Sequence, residues 1–352
     1  MANDNLRAAQ TGKKDEFYTQ FRDIEIEMNA YLDYNPDVFK DKTILLPCDD
    51  PISSNFTKFF QAKFNELGLK RLISTSYEPN GHGKLYILDG DTNGDGKVDF
   101  NDLDIQDLED DGRFQSDEVT KLRDEADIII TNPPFSLFRE FLKWILKGGK
   151  DYIIIGNMNA ITYKEVFPLI MNNKMWMGST IHSGDREFQV PDEYPLDAAG
   201  WRIDEQGRKY IRVKGVRWFT NIEHGRRHEP LMLMTMERNL RYSTCKKIVG
   251  RDSYQHYDNY DAIEVPETAS IPSDYDGVMG VPISFLDKYC PEQFDIVGIT
   301  ERGNEFGYRT KVYTKEDSPK YSDWNCRATL LEDGMIKPVY ARILIKKRNH
   351  EN

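Results

Sequence analysis

Four short apolar runs recur through the first half of the chain, and amphipathic segments separate them. The runs occupy residues 42–47, 71–76, 127–131 and 151–156. Apolar runs of this length are typical of parallel strands that are buried on both faces. Between the first two, apolar residues recur at helical spacing over residues 56–67, and Gly68 ends that pattern. The alternation predicts a mainly parallel, doubly wound α/β sheet.

The pattern changes beyond residue 175, where Gly, Pro and aromatic residues are frequent and helical stretches are few. We predict a helix over residues 163–171 before this change, and strands over 213–221 and 231–236 after it. The two strands are expected to complete the sheet as an antiparallel edge. An acidic hairpin is predicted as an insertion at about residues 85–105.

The composition limits the classes of protein to which the chain can belong. Its 352 residues, 39% of them hydrophobic and 30% charged, suit one large domain or two. No apolar run of about 18 residues and no secretory signal is present, so no membrane span is expected. The four cysteines lie far apart without a CxxC pair, so neither a zinc site nor a disulfide framework is predicted. A reducing cytoplasm is the expected location.

The net charge of −12 is unevenly distributed. Residues 85–127 contain 15 acidic and 4 basic side chains, a net charge of −11, whereas residues 201–251 contain 13 basic and 5 acidic ones, a net charge of +8. Residues 201–251 are called the basic block, and aromatic residues interleave with its basic side chains. Basic side chains would neutralise DNA phosphates, and aromatic ones would stack on nucleobases. A solvated basic loop is the alternative. The predicted DNA contacts are Arg217, Trp218, Arg226, Arg227, Lys246 and Lys247, with Trp218 and Phe219 as walls of a base pocket.

The sequence Asn132-Pro133-Pro134-Phe135 directly follows the third apolar run and precedes helical spacing over residues 136–146. Two prolines at a strand-to-helix junction fix φ and remove two N–H donors. The asparagine side chain and the neighbouring carbonyls can then accept hydrogen bonds at the carboxyl edge of the sheet, where open α/β sheets bind ligands. Rigid acceptors beside an aromatic ring suit the exocyclic amino group of a planar base. A tight loop that caps the helix is the alternative.

A second polar turn, residues 48–56, follows the first apolar run and lacks the GxGxxG pattern of a phosphate-binding loop. Its Asp49 and Asp50 would repel phosphate but can accept hydrogen bonds from an amino-acid ammonium group. This favours S-adenosylmethionine over a dinucleotide as the ligand. Tyr77 and Glu78 follow the second run, where doubly wound folds bind a ribose diol. For the turn alone, a helix-capping cluster of Asp and Ser is the alternative.

Residues 91–102 have the spacing of a calcium loop, with oxygen-bearing side chains at positions 1, 3, 5, 9 and 12 and Gly96 at position 6. Position 12 is Asp102 rather than the longer Glu, and the preceding segment resembles a strand rather than an entering helix. An acidic hairpin tip is therefore the alternative, and no metal site is assigned. A non-catalytic, calcium-dependent binding module is the competing function from another class.

Longer strings of the sequence resemble the adenine-specific DNA methyltransferases of the EcoRI type, over nearly the whole chain. The strings are residues 15–19, 48–51, 54–56, 131–141, 161–167, 277–282 and 291–294. The resemblance implies a Rossmann-like methyltransferase sheet in an S-adenosylmethionine-dependent catalytic domain, residues 1–240. Residues 241–352 would then form the target-recognition and DNA-binding region.

The resemblance also assigns residues to S-adenosylmethionine. Phe17, Tyr18 and Thr19, with Asp49, Asp50 and Pro51, would hold its methionine part. Tyr77 or Glu78 would meet the ribose, and Asp111, Gly112 and Phe114 would frame the adenine of the cofactor.

The four motif residues imply a mechanism. The side-chain oxygen of Asn132 and the carbonyl of Pro133 would each accept one hydrogen of adenine N6, and Phe135 would stack on a base flipped out of duplex DNA. Methyl transfer would be a direct in-line displacement that needs no covalent intermediate or metal. The expected partner is double-stranded DNA, with a monomeric enzyme and no stable complex with any cognate restriction endonuclease. RNA adenine and protein glutamine stay open as substrates, because an amide presents the same pair of donors.

Overall fold

The computed structural model describes residues 19–47, 49–50, 52, 54–180, 186–190, 192, 194, 196, 200–301 and 307–348. The chain divides into two compact units. The N-terminal unit draws on residues 1–159 and 175–225, and the C-terminal unit on residues 160–174 and 226–352. The structural division thus follows residue 225, whereas the functional boundary expected after residue 240 stays a prediction.

The N-terminal unit contains five α-helices and eleven strands among the described residues. The helices are α1 (Phe21–Tyr34), α2 (Asn55–Ala62), α3 (Phe64–Leu67), α4 (Asp117–Glu125) and α5 (Phe138–Gly148). The strands are β1 (Thr43–Leu46), β2 (Arg71–Thr75), β3 (Lys84–Leu88), β4 (Asp104–Asp107), β5 (Ile128–Thr131), β6 (Asp151–Asn157), β7 (Trp176–Met177), β8 (Arg186–Val190), β9 (Arg202–Ile203), β10 (Lys209–Val213) and β11 (Val216–Thr220).

An eight-stranded sheet in the order β4-β3-β2-β1-β5-β6-β11-β7 forms the centre of this unit. The four apolar runs form, in chain order, strands β1, β2, β5 and β6. In the sheet these strands lie side by side in the order β2-β1-β5-β6 and pair in parallel. Strands β3 and β11 run against them, and β4 and β7 run with them. The predicted mainly parallel sheet is confirmed, as is an antiparallel strand within residues 213–221. Strands β8, β10 and β9 form a separate antiparallel sheet.

The helical segment after β1 follows the apolar spacing of the sequence. The Ser54 hydroxyl accepts hydrogen bonds from the backbone amides of Phe56 and Thr57, which begins α2. The apolar positions of α2 and α3 are buried, and Gly68 ends α3 at φ 62°. The predicted single helix is interrupted at Lys63.

A buried carboxylate on α1 fixes the chain just beyond β7. Glu27 is 0% exposed and accepts hydrogen bonds from the backbone amides of Ser179 and Thr180, each at 2.8 Å. The Tyr31 hydroxyl donates to it at 2.9 Å. Burial, followed by the charge of Glu27, raises the pKa of Tyr31 well above its ordinary value. Among the residues that the structure describes, hydrogen-bond donors rather than a cation therefore satisfy the Glu27 side chain.

The C-terminal unit contains three short helices and six strands among the described residues. These are α6 (Phe167–Met171), α7 (Met236–Tyr242) and α8 (Tyr321–Trp324), with β12 (Ile263–Glu264), β13 (Met279–Pro282), β14 (Phe294–Ile299), β15 (Thr329–Glu332), β16 (Met335–Pro338) and β17 (Arg342–Lys347). Strands β12-β13-β17-β14 form one sheet, and β15 and β16 form a hairpin. No helix in the described part of the chain is long and apolar enough to cross a membrane.

One predicted element was wrong in this unit, and another is shorter than predicted. Residues 231–236 form no strand, because the side chain of Gln293 donates to the carbonyl of Leu231 and accepts from its amide, at 3.0 and 2.8 Å. Thr235 then caps α7 by accepting from the amide of Arg238. The helix predicted over 163–171 begins only at Phe167, with Pro168 in its first turn, where a missing N–H is tolerated.

Candidate functional site

The candidate site lies at the carboxyl ends of β2, β1 and β5. Because these strands are parallel neighbours, the residues that follow them share one edge of the sheet. Asp49 and Asp50 follow β1, Tyr77 and Glu78 follow β2, and Asn132 follows β5. The three turns that the sequence indicated as ligand-binding therefore lie at a single edge of the sheet.

The turn after β5 is compact. Thr131 and Pro133 are buried, Asn132 is half-buried and Phe135 is 9% exposed. Phe135 begins a 3₁₀ turn, Phe135–Leu137, in which the amide of Leu137 donates to the carbonyl of Pro134 at 2.9 Å, and α5 follows directly. With prolines at positions 133 and 134, this turn is rich in acceptors and lacks two backbone donors.

Asp49 ties the turn after β1 to both neighbouring strands. Its carboxylate accepts from the hydroxyl of Ser54 at 2.9 Å and from the hydroxyl of Thr131. The Ser74 hydroxyl donates to its carbonyl, and its own amide donates to the carbonyl of Thr75 at 2.8 Å. The sequence pattern indicated that Asp49 binds the ammonium group of a ligand, but it gave no sign of these hydrogen bonds. The residue before the Asn-Pro-Pro-Phe motif is thus hydrogen-bonded to the acidic turn.

Two buried polar atoms lie at the entrance to α1. Thr19 is 3% exposed, and its carbonyl accepts from the side chain of Asn55 at 2.8 Å, which brings it beside the acidic turn. Within the described part of the chain, Thr19 Oγ1 and Gln20 Nε2 are buried and have no hydrogen-bond partner. Buried polar groups are nearly always satisfied, so such a pair fits a site that a polar ligand completes. Sequence reasoning missed Gln20, although it directly follows the Phe-Tyr-Thr string. Phe17, Tyr18 and Pro51 lie outside the described residues.

The ribose and adenine residues predicted from the resemblance are neighbours in the structure. The amide of Glu78 donates to the carbonyl of Asp111 at 2.8 Å, and Tyr77 is 43% exposed. Gly112 has φ 79°, and a Cβ atom there would lie 2.0 Å from the carbonyl oxygen of Ser76. A side chain at position 112 would therefore force the loop away from the end of β2.

Phe114 occupies a different environment from the rest of that group. It is 2% exposed, and its ring packs edge-on against Phe141 at 4.9 Å and Trp144 at 5.6 Å between centroids. These partners belong to α5. Phe114 is thus a core residue beneath the loop, and Asp111 and Gly112 are the members of the group that adjoin the end of β2.

The calcium-like loop is closed by its own backbone amides. Asp102 accepts from the amides of Thr92, Asn93 and Asp99 at 2.8, 3.2 and 3.0 Å. The amide of Asp99, foremost among these donors, lowers the pKa of Asp102 below its ordinary value. Asp91 accepts from the amides of Gly94 and Gly96 at 2.6 and 2.8 Å. No group of three or more His, Cys, Asp or Glu residues is arranged to hold a metal ion among the described residues.

The predicted DNA contacts in the N-terminal unit need correction. Trp218 is 1% exposed, and its ring packs edge-on against Phe56 at 6.0 Å. Phe219 is 0% exposed in the same strand, β11. Arg217 is 8% exposed and donates to the carbonyl of Val216 at 2.9 Å. As buried residues of a strand that is paired on both sides, they have almost no surface to offer a DNA molecule.

The predicted contacts in the C-terminal unit fall into two groups. Arg227 is 5% exposed, donates to Asn173 at 2.6 Å and lies 5.9 Å from the ring centroid of Tyr289. Its charge helps to organise the unit. Arg226 is half-buried, and Lys246 and Lys247 are exposed. These three remain available as predicted DNA contacts.

Comparison with known proteins gives consistent matches over most of the chain. A family model described as "Adenine-specific methyltransferase EcoRI" matches residues 5–348. Type II methyltransferase M.EcoRI of Escherichia coli is 43% identical over 304 residues, or 84% of this chain and 89% of that protein. Type II methyltransferase M.MpnI of Mycoplasma pneumoniae is 35% identical over 82% of this chain and 83% of its own length. M.MgeORF184P of Mycoplasma genitalium is 34% identical over 83% of this chain and 85% of its own length. No solved structure matches the chain.

Proposed function

The chain belongs to the EcoRI family of adenine-specific methyltransferases, and we propose that residues 132–135 are the place where a flipped adenine accepts the methyl group. As a member of this family, it is an S-adenosylmethionine-dependent, adenine-specific DNA methyltransferase. One observation carries the residue assignment. The hydrogen bond from Thr131 to Asp49 joins the turn that would hold the adenine to the turn that would hold the methyl donor.

The motif residues act by positioning. Adenine N6 is a weak nucleophile because its lone pair is delocalised into the ring. When the Asn132 side-chain oxygen and the Pro133 carbonyl each accept one N6–H, the lone pair turns out of the ring plane. Pro134 holds the turn rigid and Phe135 stacks on the base. The N6 lone pair would then be free to accept the methyl group that S-adenosylmethionine supplies, and N6 would release one proton to solvent.

The residues proposed to bind the cofactor lie at the same edge of the sheet. When bound, S-adenosylmethionine supplies an electrophilic methyl group on a sulfonium sulfur. Thr19 and Gln20, with their unsatisfied buried atoms, would bind its methionine part together with Asp50, and Asp49 would hold the two turns in register. Tyr77, Glu78, Asp111 and Gly112 would bind the ribose and adenine. Phe17, Tyr18 and Pro51 keep the role that the resemblance implies.

We infer the remaining properties from the family. The substrate would be double-stranded DNA, bound in part by Arg226, Lys246 and Lys247 of a C-terminal recognition region. The enzyme would act as a monomer in the cytoplasm, where its DNA is found. Any cognate restriction endonuclease would act on the same DNA sequence without forming a stable complex with the methyltransferase.

Asn132→Ala tests the proposed site. Loss of one preorganised acceptor is expected to lower the turnover number by roughly 10²–10³-fold, while the Kd for S-adenosylmethionine changes little. Single-turnover methylation of DNA and calorimetric titration of the cofactor would measure the two effects. Asn101→Ala, in the exposed hairpin loop, is the matched control and should behave as the wild type.

Normal turnover by Asn132→Ala would contradict this role for the motif. Parallel assays on DNA, RNA and a glutamine-containing protein substrate would test the substrate class, and the methylated bases should be adenines of duplex DNA.

A further inference from the structure

A cleft of about 310 Å³ opens in the C-terminal unit. Four of its lining residues are apolar, and together they are called the apolar wall: Ile248, Pro266, Leu330 and Val339. These side chains come from the segment after α7, from the end of β12 and from the β15–β16 hairpin. The apolar side chains thus come from three segments that are far apart in sequence, and a flat, weakly polar group can pack against them.

The two carboxylates in the cleft are already neutralised. Glu264 is 5% exposed, binds the Arg342 guanidinium at 2.7 Å and also accepts from the Tyr257 hydroxyl. Glu332 accepts from the Lys337 ammonium at 2.8 Å and from the side-chain amide of Gln255 at 3.1 Å. Neither carboxylate needs a cation from a ligand.

Two further basic side chains line the cleft without forming an ion pair to any described residue. They are Lys247 and Arg251, which are exposed at its mouth. The hydrogen bond from Lys337 is the main cause that lowers the pKa of Glu332, and Arg251 contributes to this shift. Because that carboxylate is already paired with Lys337, the cleft keeps an excess of positive charge next to its apolar wall. A ligand that matches this arrangement has an anionic group joined to a flat body.

We propose that this cleft binds one nucleotide of the DNA substrate, with its phosphate between Lys247 and Arg251 and its base against the apolar wall. The proposal rests on the proposed function, which supplies DNA as the partner. The side-chain oxygen of Gln255, whose amide nitrogen is bound to Glu332, is available to accept from an exocyclic amino group of that base. The cleft would thus read one base as well as bind the backbone.

Nucleotide binding can be measured directly on the full-length protein. The probes are the four deoxynucleoside 5′-monophosphates, the corresponding deoxynucleosides and inorganic phosphate, each titrated with S-adenosylmethionine present in excess. At least one monophosphate should bind more tightly than both inorganic phosphate and its own nucleoside. Lys247→Ala/Arg251→Ala should weaken it by at least roughly tenfold, because charge-assisted hydrogen bonds to phosphate are among the stronger ones.

Lys315→Ala/Lys320→Ala is the charge-matched control, since both lysines are exposed in the same unit and neither lines the cleft. Its affinity for monophosphates should equal that of the wild type. Equal weakening in the control, or binding of inorganic phosphate as tight as that of every monophosphate, would overturn the proposal. All four replaced residues are exposed, so both variants are expected to fold, and thermal unfolding would verify this.

A second measurement uses duplex DNA that contains the methylated sequence. Removing single bases along the duplex should reveal one position where the loss weakens binding by the wild type but not by Lys247→Ala/Arg251→Ala. Additive effects at every position would exclude base capture by the cleft. If no DNA is methylated, the proposed function fails, while the monophosphate titrations still decide whether the cleft binds nucleotides.

Discussion

At the scale of single residues, Asp49 is the clearest example of a role that spacing conceals. The sequence shows an acidic turn after an apolar run, and this is enough to predict a polar ligand. It does not show that the carboxylate is held by Ser54 and by Thr131, because Thr131 lies 82 residues further along the chain. The prediction for Trp218 was wrong for the converse reason. An aromatic residue among basic side chains suits a DNA contact, but Trp218 lies in a buried strand of the sheet.

Replacing Thr131 tests the tie to Asp49. Thr131→Val removes the hydroxyl donor but keeps the shape and the strand propensity of the side chain. A lost hydrogen bond of this kind costs about 1–3 kcal/mol, so we expect kcat/KM for methyl transfer to fall by roughly 5–150-fold.

Thr131→Ser retains the donor and should stay close to the wild type. Steady-state methylation with varied S-adenosylmethionine and varied DNA would measure both variants. If Val and Ser at position 131 give the same kinetics, the hydroxyl has no positioning role.

At the scale of elements, the sequence identifies the strands whose burial is complete. Strands β1 and β5 are buried at every residue, so their apolar runs are unbroken and their positions could be predicted. Strand β12 has two residues, too few to form any pattern. The predicted strand over residues 231–236 failed because a side chain, Gln293, satisfies backbone groups that a neighbouring strand would otherwise bind.

Gly112→Ala tests the close approach of the loop that contains Gly112 to the end of β2. Gly112 and Gly94 have nearly equal φ angles, 79° and 80°, but only at Gly112 would a Cβ atom collide with backbone. Gly94→Ala should cost no more than about 1–2 kcal/mol, whereas Gly112→Ala should cost about 3 kcal/mol or more and weaken cofactor binding. Urea unfolding and calorimetric titration would measure both variants. Equal losses of stability would show that the loop moves without penalty.

Lowering the pH should lower the local stability of the hairpin loop between β3 and β4. The folded-state pKa of Asp102 is lowered, so its contribution to stability is complete above about pH 4, its ordinary value in an unfolded chain. That contribution is lost as the pH falls through the lower folded-state pKa. Asp102→Asn should therefore flatten the acid dependence of amide exchange in residues 91–102, whereas Asp104→Asn, at an exposed position, should not. An unchanged acid profile in Asp102→Asn would contradict this prediction.

At the scale of the whole molecule, formal charge is a poor guide to the surface that meets DNA. The acidic segment 85–127 lies in the N-terminal unit, and the basic block is shared between the two units. Several of its bases are already paired, such as Arg202 with Glu187 and Arg208 with Asp204. The division of the chain between the units also could not be predicted, since residues 160–174 join a unit whose other residues begin at 226.

Cofactor binding should protect the two units unequally. The predicted cofactor residues all belong to the N-terminal unit. At a concentration 100 times its Kd, S-adenosylmethionine should stabilise that unit against opening by about 2.7 kcal/mol. Hydrogen exchange should therefore slow for residues 43–157 and stay unchanged for residues 226–348. Equal protection of both segments would mean that the two units open as one.

The hydrogen bond between Thr131 and Asp49 has a consequence for the affinities of the two substrates. A side chain that contacts both turns makes their geometries interdependent, so a ligand that fixes one turn lowers the entropy that the other must still lose. Such coupling is reciprocal: whatever factor the methyl donor adds to the affinity for the flipped adenine, the adenine adds to the affinity for the donor. The enzyme would then discriminate against incomplete complexes without any moving domain, through a single carboxylate shared between two loops.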